Sequence, residues 1–217
     1  MKPYAYLLLI LLIFNCNNER VLQLPEIENA EITEVLDVSP AYIFYDEMQP
    51  DSTLFNRKNL IGTTNWLVNV DKRLTLRQAI PHIQYLQDKR RKASMHKNKN
   101  AKNYFTCNDT RIGNLGFLEF TDVNYNYKNK DAVDDENTIF MSVKNLSNIT
   151  FSLAFDLNTE LSKENIANVL TIVRKRYNND TTLTLSISED ITFKDYITLK
   201  STLATFKDRI SNEEFFY

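Results

Sequence analysis

The stretch LVNVDKRLTLRQAI at 67–80 reads as an alternating strand, a charged turn and a capped helix start, and TLSISEDITFKDYI at 184–197 reads the same way. Val68 and Val70 share one strand face, as do Leu185 and Ile187, because successive side chains on a strand point to opposite sides. Laid over one another, Leu74-Thr75-Leu76-Arg77 matches Ile191-Thr192-Phe193-Lys194, and Ile80 matches Ile197. Thr75 with Gln78 makes a capping-box pattern, which Thr192 with Asp195 echoes. Alternation and capping are generic, so the match is open to both duplication and coincidence. Either way a strand with one apolar face and a helix with one apolar stripe must bury them together. The expected fold class is α+β: two small βα-containing modules in tandem, each a small sheet with helices on one face.

The remaining elements follow from period and punctuation. Residues 41–45, AYIFY, read as a strand bounded by Pro40; PDSTLFNRKNLIG reads as a short helix capped by Ser52; and 65–70 is a strand with Trp66, Val68 and Val70 on one face. Leu76, Ala79, Ile80, Ile83 and Leu86 recur at helical spacing, with Pro81 predicting either a kink or a start nearer Ala79. The basic stretch from Lys89 to Lys102 reads as a loop, 115–123 as a strand and NYNYKNKDAVDDEN as a linker. In the second half Ile149, Phe151, Leu153 and Phe155 share a strand face. The clearest helix follows, with Ser162 as cap, Glu164 in its first turn, and Ile166, Val169, Leu170, Val173 and Tyr177 as its stripe. The last helix is expected to carry Tyr196, Leu199, Leu203, Phe206 and Ile210 on its core face.

The N-terminus, MKPYAYLLLILLIFNCNNER, sets the address. Its apolar run, 5–14, is about half the roughly twenty residues a spanning helix needs. It fits a signal-peptide core, with Lys2 before it, a polar break at Asn15 and Cys16 at the cleavage position. This resembles a bacterial lipoprotein signal, in which the cysteine is acylated, by palmitate among other chains; Phe14 and Asn15 depart from the small residues usual before that cysteine. Such chains partition at about 0.8 kcal/mol per buried methylene, enough to hold the protein on a bilayer. Asn17, where Asp would signal inner-membrane retention, favours the outer membrane. The division is then 1–16 signal peptide ending at the lipidation cysteine, 17–38 polar tether, 39–123 first module, 124–137 linker and 138–217 second module.

The second half carries a family resemblance. ITFSLAFD, ELSKENIANVLTIVRKRY and TLTLSISEDITFKDYITLKSTL together resemble the periplasmic domain of the ExbD/TolR family of biopolymer-transport proteins. That family has a strand, a helix opening with Leu-Ser, a strand ending in a charged turn, then a helix beginning near Tyr or Phe. The resemblance covers 148–210 and, more weakly, 41–90, where Asp71 follows the strand; Ser188 and Glu189 stand there in the second half. It implies a domain that dimerises or binds envelope polymers. It implies no motor, because family members couple proton flow through a carboxylate in a transmembrane helix, and 4–16 contains no Asp or Glu.

Composition removes several classes. A net charge of −2 points away from nucleic acid as partner, and three glycines leave little for a phosphate-cradling loop. With Cys16 as anchor, Cys107 has no intramolecular partner, so the fold rests on its cores. His82, beside Pro81, reads as structural, and His96 as solvated. A zinc site from His96, Cys107 and Asp109 has eligible ligands but no standard spacing. Cys107 as a nucleophile lacks a base nearby in sequence. Asp46-Glu47 and Glu189-Asp190 read as turn residues sooner than acid/base pairs. The 89–92 cations could meet anionic headgroups or polysaccharide. Phe215, Phe216 and Tyr217 are expected to pack back on the last helix.

The expected function is a nonenzymatic, lipid-anchored, periplasm-facing envelope protein without cofactor or metal. It binds another envelope protein or associates with itself, in a biopolymer-transport setting. The alternatives are an envelope hydrolase, or a small-ligand or polysaccharide binder. Convergence of Asp71, His82 and Cys107 in one pocket would favour an enzyme.

Overall fold

Alternating runs become strands because each has one face to hide. In the computed structural model, which describes residues 21–92, 98–127, 138–151, 162–176 and 182–217, the first module runs β1 (Glu26–Ile27), β2 (Val38–Tyr45), β3 (Thr53–Asn56), β4 (Asn65–Val70), α1 (Leu76–Lys92), β5 (Asn103–Asp109) and β6 (Asn114–Glu119). The second runs β7 (Asn124–Tyr127), β8 (Thr138–Asn145), β9 (Asn148–Phe151), α2 (Lys163–Arg176), β10 (Thr182–Ile187), α3 (Phe193–Leu203), a 3-10 turn (Ala204–Arg209) and β11 (Ile210–Phe216). The fold is α+β, two mixed sheets with helices, as the repeated motif predicts.

The two sheets share one plan. Neighbours run β5-β4-β2-β3 in the first and β11-β10-β8-β9 in the second, the first three of each parallel and the last antiparallel. Registers agree residue for residue: Ala41 lies opposite Val68 as Met141 lies opposite Leu185, and Ile43 opposite Val70 as Val143 opposite Ile187. The flanking strands differ: β6 runs antiparallel and the short β1 parallel along β5, whereas β7 runs parallel along β11.

The repeated turns meet each other. Thr75 and Thr192 form an isolated antiparallel bridge. Around it Leu76 N–H donates to Ile191 O at 3.0 Å and Phe193 N–H to Leu74 O at 2.6 Å, while Arg77 N–H donates to Glu189 O at 2.8 Å and Lys194 N–H to Lys72 O at 3.2 Å. Each residue bonds the equivalent of its equivalent's partner, a local two-fold relation between the two turns. The alignment of 67–80 with 184–197 is therefore also the contact between the modules. Beside it Phe105 stacks on Phe120 at 3.8 Å between centroids, and Phe193 and Tyr196 meet Phe105 edge-on at 5.2 and 6.3 Å. One buried apolar cluster runs through both modules.

Capping holds where the sequence placed it. Gln78 Oε1 accepts from the Thr75 N–H at 2.9 Å, and Thr192 Oγ1 accepts from the Asp195 N–H at 3.1 Å. Ser162 Oγ accepts from Asn165 N–H at 3.0 Å. Helix α1 starts at Leu76 and continues through Pro81.

Several expectations are corrected. The segment after Ser52 is strand β3, not a helix: Ser52 sits at φ +56° and turns the chain back so that 53–56 pairs with 42–45. Residues 89–92 of the expected basic loop are the last turn of α1, 93–97 lie outside the described residues, and NYFTCND, directly after the loop, is strand β5 between β4 and β6. Strand β7 occupies the first four residues of the expected linker, and the rest lies outside the described residues. The chain between 21 and 38 is not a free tether. Gln23, Pro25 and Ile27 carbonyls accept from Lys72, Asn108 and Thr110, and Ile32 O accepts from Phe117 at 2.9 Å on the outer edge of β6. The last helix stops at Leu203, and the C-terminal residues form β11 between β10 and β7, burying Glu214 and Phe216. Leu153, Phe155 and Tyr177 lie outside the described residues.

Candidate functional site

The sequence-nominated groups do not converge. Asp71, fully buried, takes a bidentate ion pair from Arg73 (2.8 and 2.7 Å) and the Gln23 N–H at 3.2 Å. Burial pushes its carboxyl up, but these donors outweigh it and hold it below the usual carboxylate range. His82 packs on Phe55 at 4.7 Å, and burial lowers its imidazole, opposed by Asp51. Cys107 is fully buried in β5, and burial pushes its thiol up to about 12, the opposite of a nucleophile's setting. Asp109 takes the Ala30 N–H at 2.6 Å and those of Arg111 and Ile112 at 3.0 and 3.3 Å, tying a strap and a turn together. Glu189 and Asp190 both bind Arg77, the latter at 2.7 Å. Asp46 accepts from the Met48 N–H at 3.1 Å within the β2–β3 turn. No group of metal-ligating side chains gathers among the described residues, and His96 and Cys16 lie outside them. None of the described helices is long and apolar enough to cross a membrane.

What the structure does assemble is a groove of about 500 Å³ at the C-terminal end of α1. Leu60, Trp66 and Tyr85 give it apolar lining, and Asp88, Lys89, Arg90 and Lys92 its charged lining. Trp66 is fixed by its indole N–H, which donates to Ile61 O at 2.7 Å. Over its ring, 4.0 Å from the centroid, lies the Arg90 guanidinium. Arg90 is only 8 % exposed and donates to Asn103 Oδ1 at 2.6 Å and Thr64 O at 3.1 Å, while its Nη1 has no acceptor. Burial pushes the guanidinium down to about 10. Arg57 lies 3.9 Å over Tyr85, so aromatic faces and cations alternate along this side. Sequence reasoning flagged the 89–92 charges but could not see that 90 turns inward while 89 and 92 stay outside. Helical spacing was the available signal, since Arg90 stands four residues after the buried Leu86 and seven after Ile83.

A second buried polar cluster was not legible. Glu214, fully buried in β11, accepts from the Tyr196 hydroxyl at 2.8 Å and pairs with Lys200; Tyr196 in turn meets the Tyr125 hydroxyl at 3.3 Å. Burial, reinforced by Glu214, raises both phenols well above their ordinary value. Both Glu214 oxygens are engaged within the protein, so the cluster locks β11 to α3 and, through Tyr196 and Tyr125, to β7.

No protein-family model, no curated protein and no solved structure matches the chain.

Proposed function

We propose that this chain is a nonenzymatic cell-envelope lipoprotein, anchored by acylated Cys16 and facing the periplasm, outer membrane favoured, whose two modules form one binding unit akin to the periplasmic domain of ExbD/TolR proteins. The observation that carries the reading is the reciprocal pairing at Thr75 and Thr192. A module that dimerises must offer a self-complementary surface; here the turns that pair belong to one chain and are already occupied. This favours a unit that works as a monomer and binds another component of the envelope. The order strand, Ser162-capped helix, strand, charged turn and Thr192-capped helix supports kinship of the second module with that family. Asp71 and Cys107, bound or sealed inside, speak against hydrolysis through those groups.

The seven steps from Cys16 to Gln23, the first residue held to Asp71, span at most about 25 Å, so an acylated chain works close to its membrane. Fractionation of cells expressing the full chain tagged after Tyr217 tests the anchor: wild type pellets with membranes and Cys16→Ala is released. Retention of Cys16→Ala in the membrane refutes it. Crosslinked capture through the same tag tests the partner. Recovery of transport-motor subunits is the expected result, and a crosslinked homodimer as the dominant product overturns the monomeric reading. The groove beside Trp66 favours a second reading, in which the bound component is a small ligand.

A further inference from the structure

We propose that the groove beside Trp66 binds an organic anion, a phosphate or carboxylate carried on an apolar body, with the charge set among Lys89, Arg90 and Lys92 and the body against Tyr85 and Leu60. This deepens the reading of the chain as a binding protein but does not depend on its address.

Charge is the first argument. Arg73 and Lys200 each sit on a buried carboxylate, Asp71 and Glu214. Arg90, the most buried cation among the described residues, has no carboxylate within ion-pairing distance among them. Its acceptors are one amide and backbone carbonyls, and two N–H bonds on Nη1 go unused. A buried charge without a counter-charge is unfavourable unless something compensates. The Trp66 face does so in part. An anion in the groove completes the compensation. Lys89 and Lys92 stand at the same groove, and the one acid there, Asp88, leans toward Arg91 (3.8 Å) and Lys92 (3.6 Å), leaving a net positive lining in a chain whose total is −2.

Shape is the second. About 500 Å³ lies within the range of small-molecule sites, and a lining that combines Leu60, Trp66 and Tyr85 with three cations suits a ligand with an apolar body and a charged end. The repeat supplies the third. Position 66 of the first module corresponds to Leu183 of the second, and α1 has 17 residues where α3 has 11. The second module continues as the 3-10 turn and sets Lys207 and Arg209 at the positions of Arg90 and Lys92, but Lys207 is exposed, so what the first module has beyond the shared plan is the tryptophan and the buried setting of Arg90.

Trp66 is the only tryptophan, so its fluorescence reports the site directly. The full chain in phosphatidylcholine vesicles is titrated with hexyl phosphate, inorganic phosphate and hexyl glucoside. The expected result is a saturable change with hexyl phosphate, at least about tenfold tighter than inorganic phosphate, and none with the neutral glucoside. Lys89→Ala/Lys92→Ala, both on the exposed rim, weakens hexyl phosphate about tenfold, and Arg90→Met abolishes the response while circular dichroism stays native. Phosphatidylglycerol vesicles that compete with hexyl phosphate identify a lipid headgroup as the source; failure to compete identifies a soluble anion, and both support the site. No saturable response to either phosphate, equal binding of the glucoside, or wild-type affinity in the double alanine variant overturns it. Such a failure leaves the Cys16→Ala release and the crosslinking result untouched, so it is distinguishable from failure of the proposed function.

Discussion

Gly116→Ala is the sharpest test of how the incoming chain is held. Gly116 lies in β6 beneath the strap that leads from β1 to Ile32, and a Cβ built there would stand 2.5 Å from Ala30 Cβ and 2.9 Å from Ile27 Cδ1. Carbon atoms in contact sit about 3.5–4.0 Å apart, so something must move by about 1 Å. Ile27 Cδ1 can rotate away; Ala30 cannot, because its own N–H is held by Asp109 at 2.6 Å. Pairing of Pro25 with Asn108, Ile27 with Thr110 and Ile32 with Phe117 pins the strap on both sides. Overpacking of this kind, or lifting the strap and exposing Ile27, costs about 2–3 kcal/mol, which for a chain of this size lowers Tm by roughly 5–10 °C. Urea unfolding followed by Trp66 fluorescence measures the loss, and hydrogen exchange at Ala30, Asn108 and Thr110 should accelerate with it. Adding Ala30→Gly removes the 2.5 Å contact and should restore most of the stability despite the extra glycine. If Gly116→Ala is within about 0.5 kcal/mol of wild type, or Ala30→Gly fails to rescue it, steric exclusion by the strap is wrong.

Three other perturbations probe the interior. In a Cys16→Ala background the thiol of Cys107 should resist a thiol reagent at pH 8 until the protein is unfolded, because burial holds it protonated; rapid native-state labelling, read by mass spectrometry, would contradict this. Lys200→Met leaves the Glu214 carboxylate with Tyr196 alone and should destabilise by about 3 kcal/mol, with proteolysis beginning at β11; a neutral effect in denaturant titration would show that Lys200 is dispensable. Asp71 is held below its unfolded value, so its stabilisation is present above about pH 4 and is lost as pH falls through the folded value. Asp71→Asn should therefore cost about 2 kcal/mol at pH 7 and flatten the acid limb of a stability-against-pH curve, and an unchanged acid limb would remove Asp71 from the account.

The repeat was legible because it is written in local rules. Thr75 and Thr192 cap helices through neighbours three residues away, and Val68/Val70 and Leu185/Ile187 alternate on single faces, so a short window contains the signal. Strand β5 was missed for the opposite reason. From Asn103 to Cys107 both faces are buried, and period two disappears when both faces are apolar or packed. The last helix was carried on to Ile210, over the 3-10 turn that leads into β11, because Phe206 and Ile210 continue the helical spacing of Leu199 and Leu203. What ends the helix is tertiary: the slot between β10 and β7, and the Tyr196 and Lys200 partners of Glu214. The groove lay between these cases. Its cations were visible as a run, but Arg90 becomes distinctive only when Trp66, twenty-four positions earlier, supplies the face beneath it.

Internal symmetry sharpens what a functional residue is in this chain. Where the two modules agree, a structural cause suffices: Ala41, Ile43, Val68 and Val70 are buried as Met141, Val143, Leu185 and Ile187 are, in the same registers, and the turns at Thr75 and Thr192 are locked by reciprocal bonds. Shared features answer to the shared plan. Where they differ, the plan imposes nothing, and the difference needs its own cause. The strap over Gly116 is one such difference, and it is accounted for by the chain arriving at the first module alone. The Glu214 cluster is another, and its polar atoms are all used internally. The Trp66–Arg90 groove is the third, and among the described residues Arg90, which lines it, is a buried charge with no carboxylate partner and an unused Nη1. A buried guanidinium at that position is not required by the βα plan, since the second module has Leu183 in place of Trp66 and the exposed Lys207 in place of Arg90. The shared plan therefore supplies no cause for the buried Arg90 of the first module.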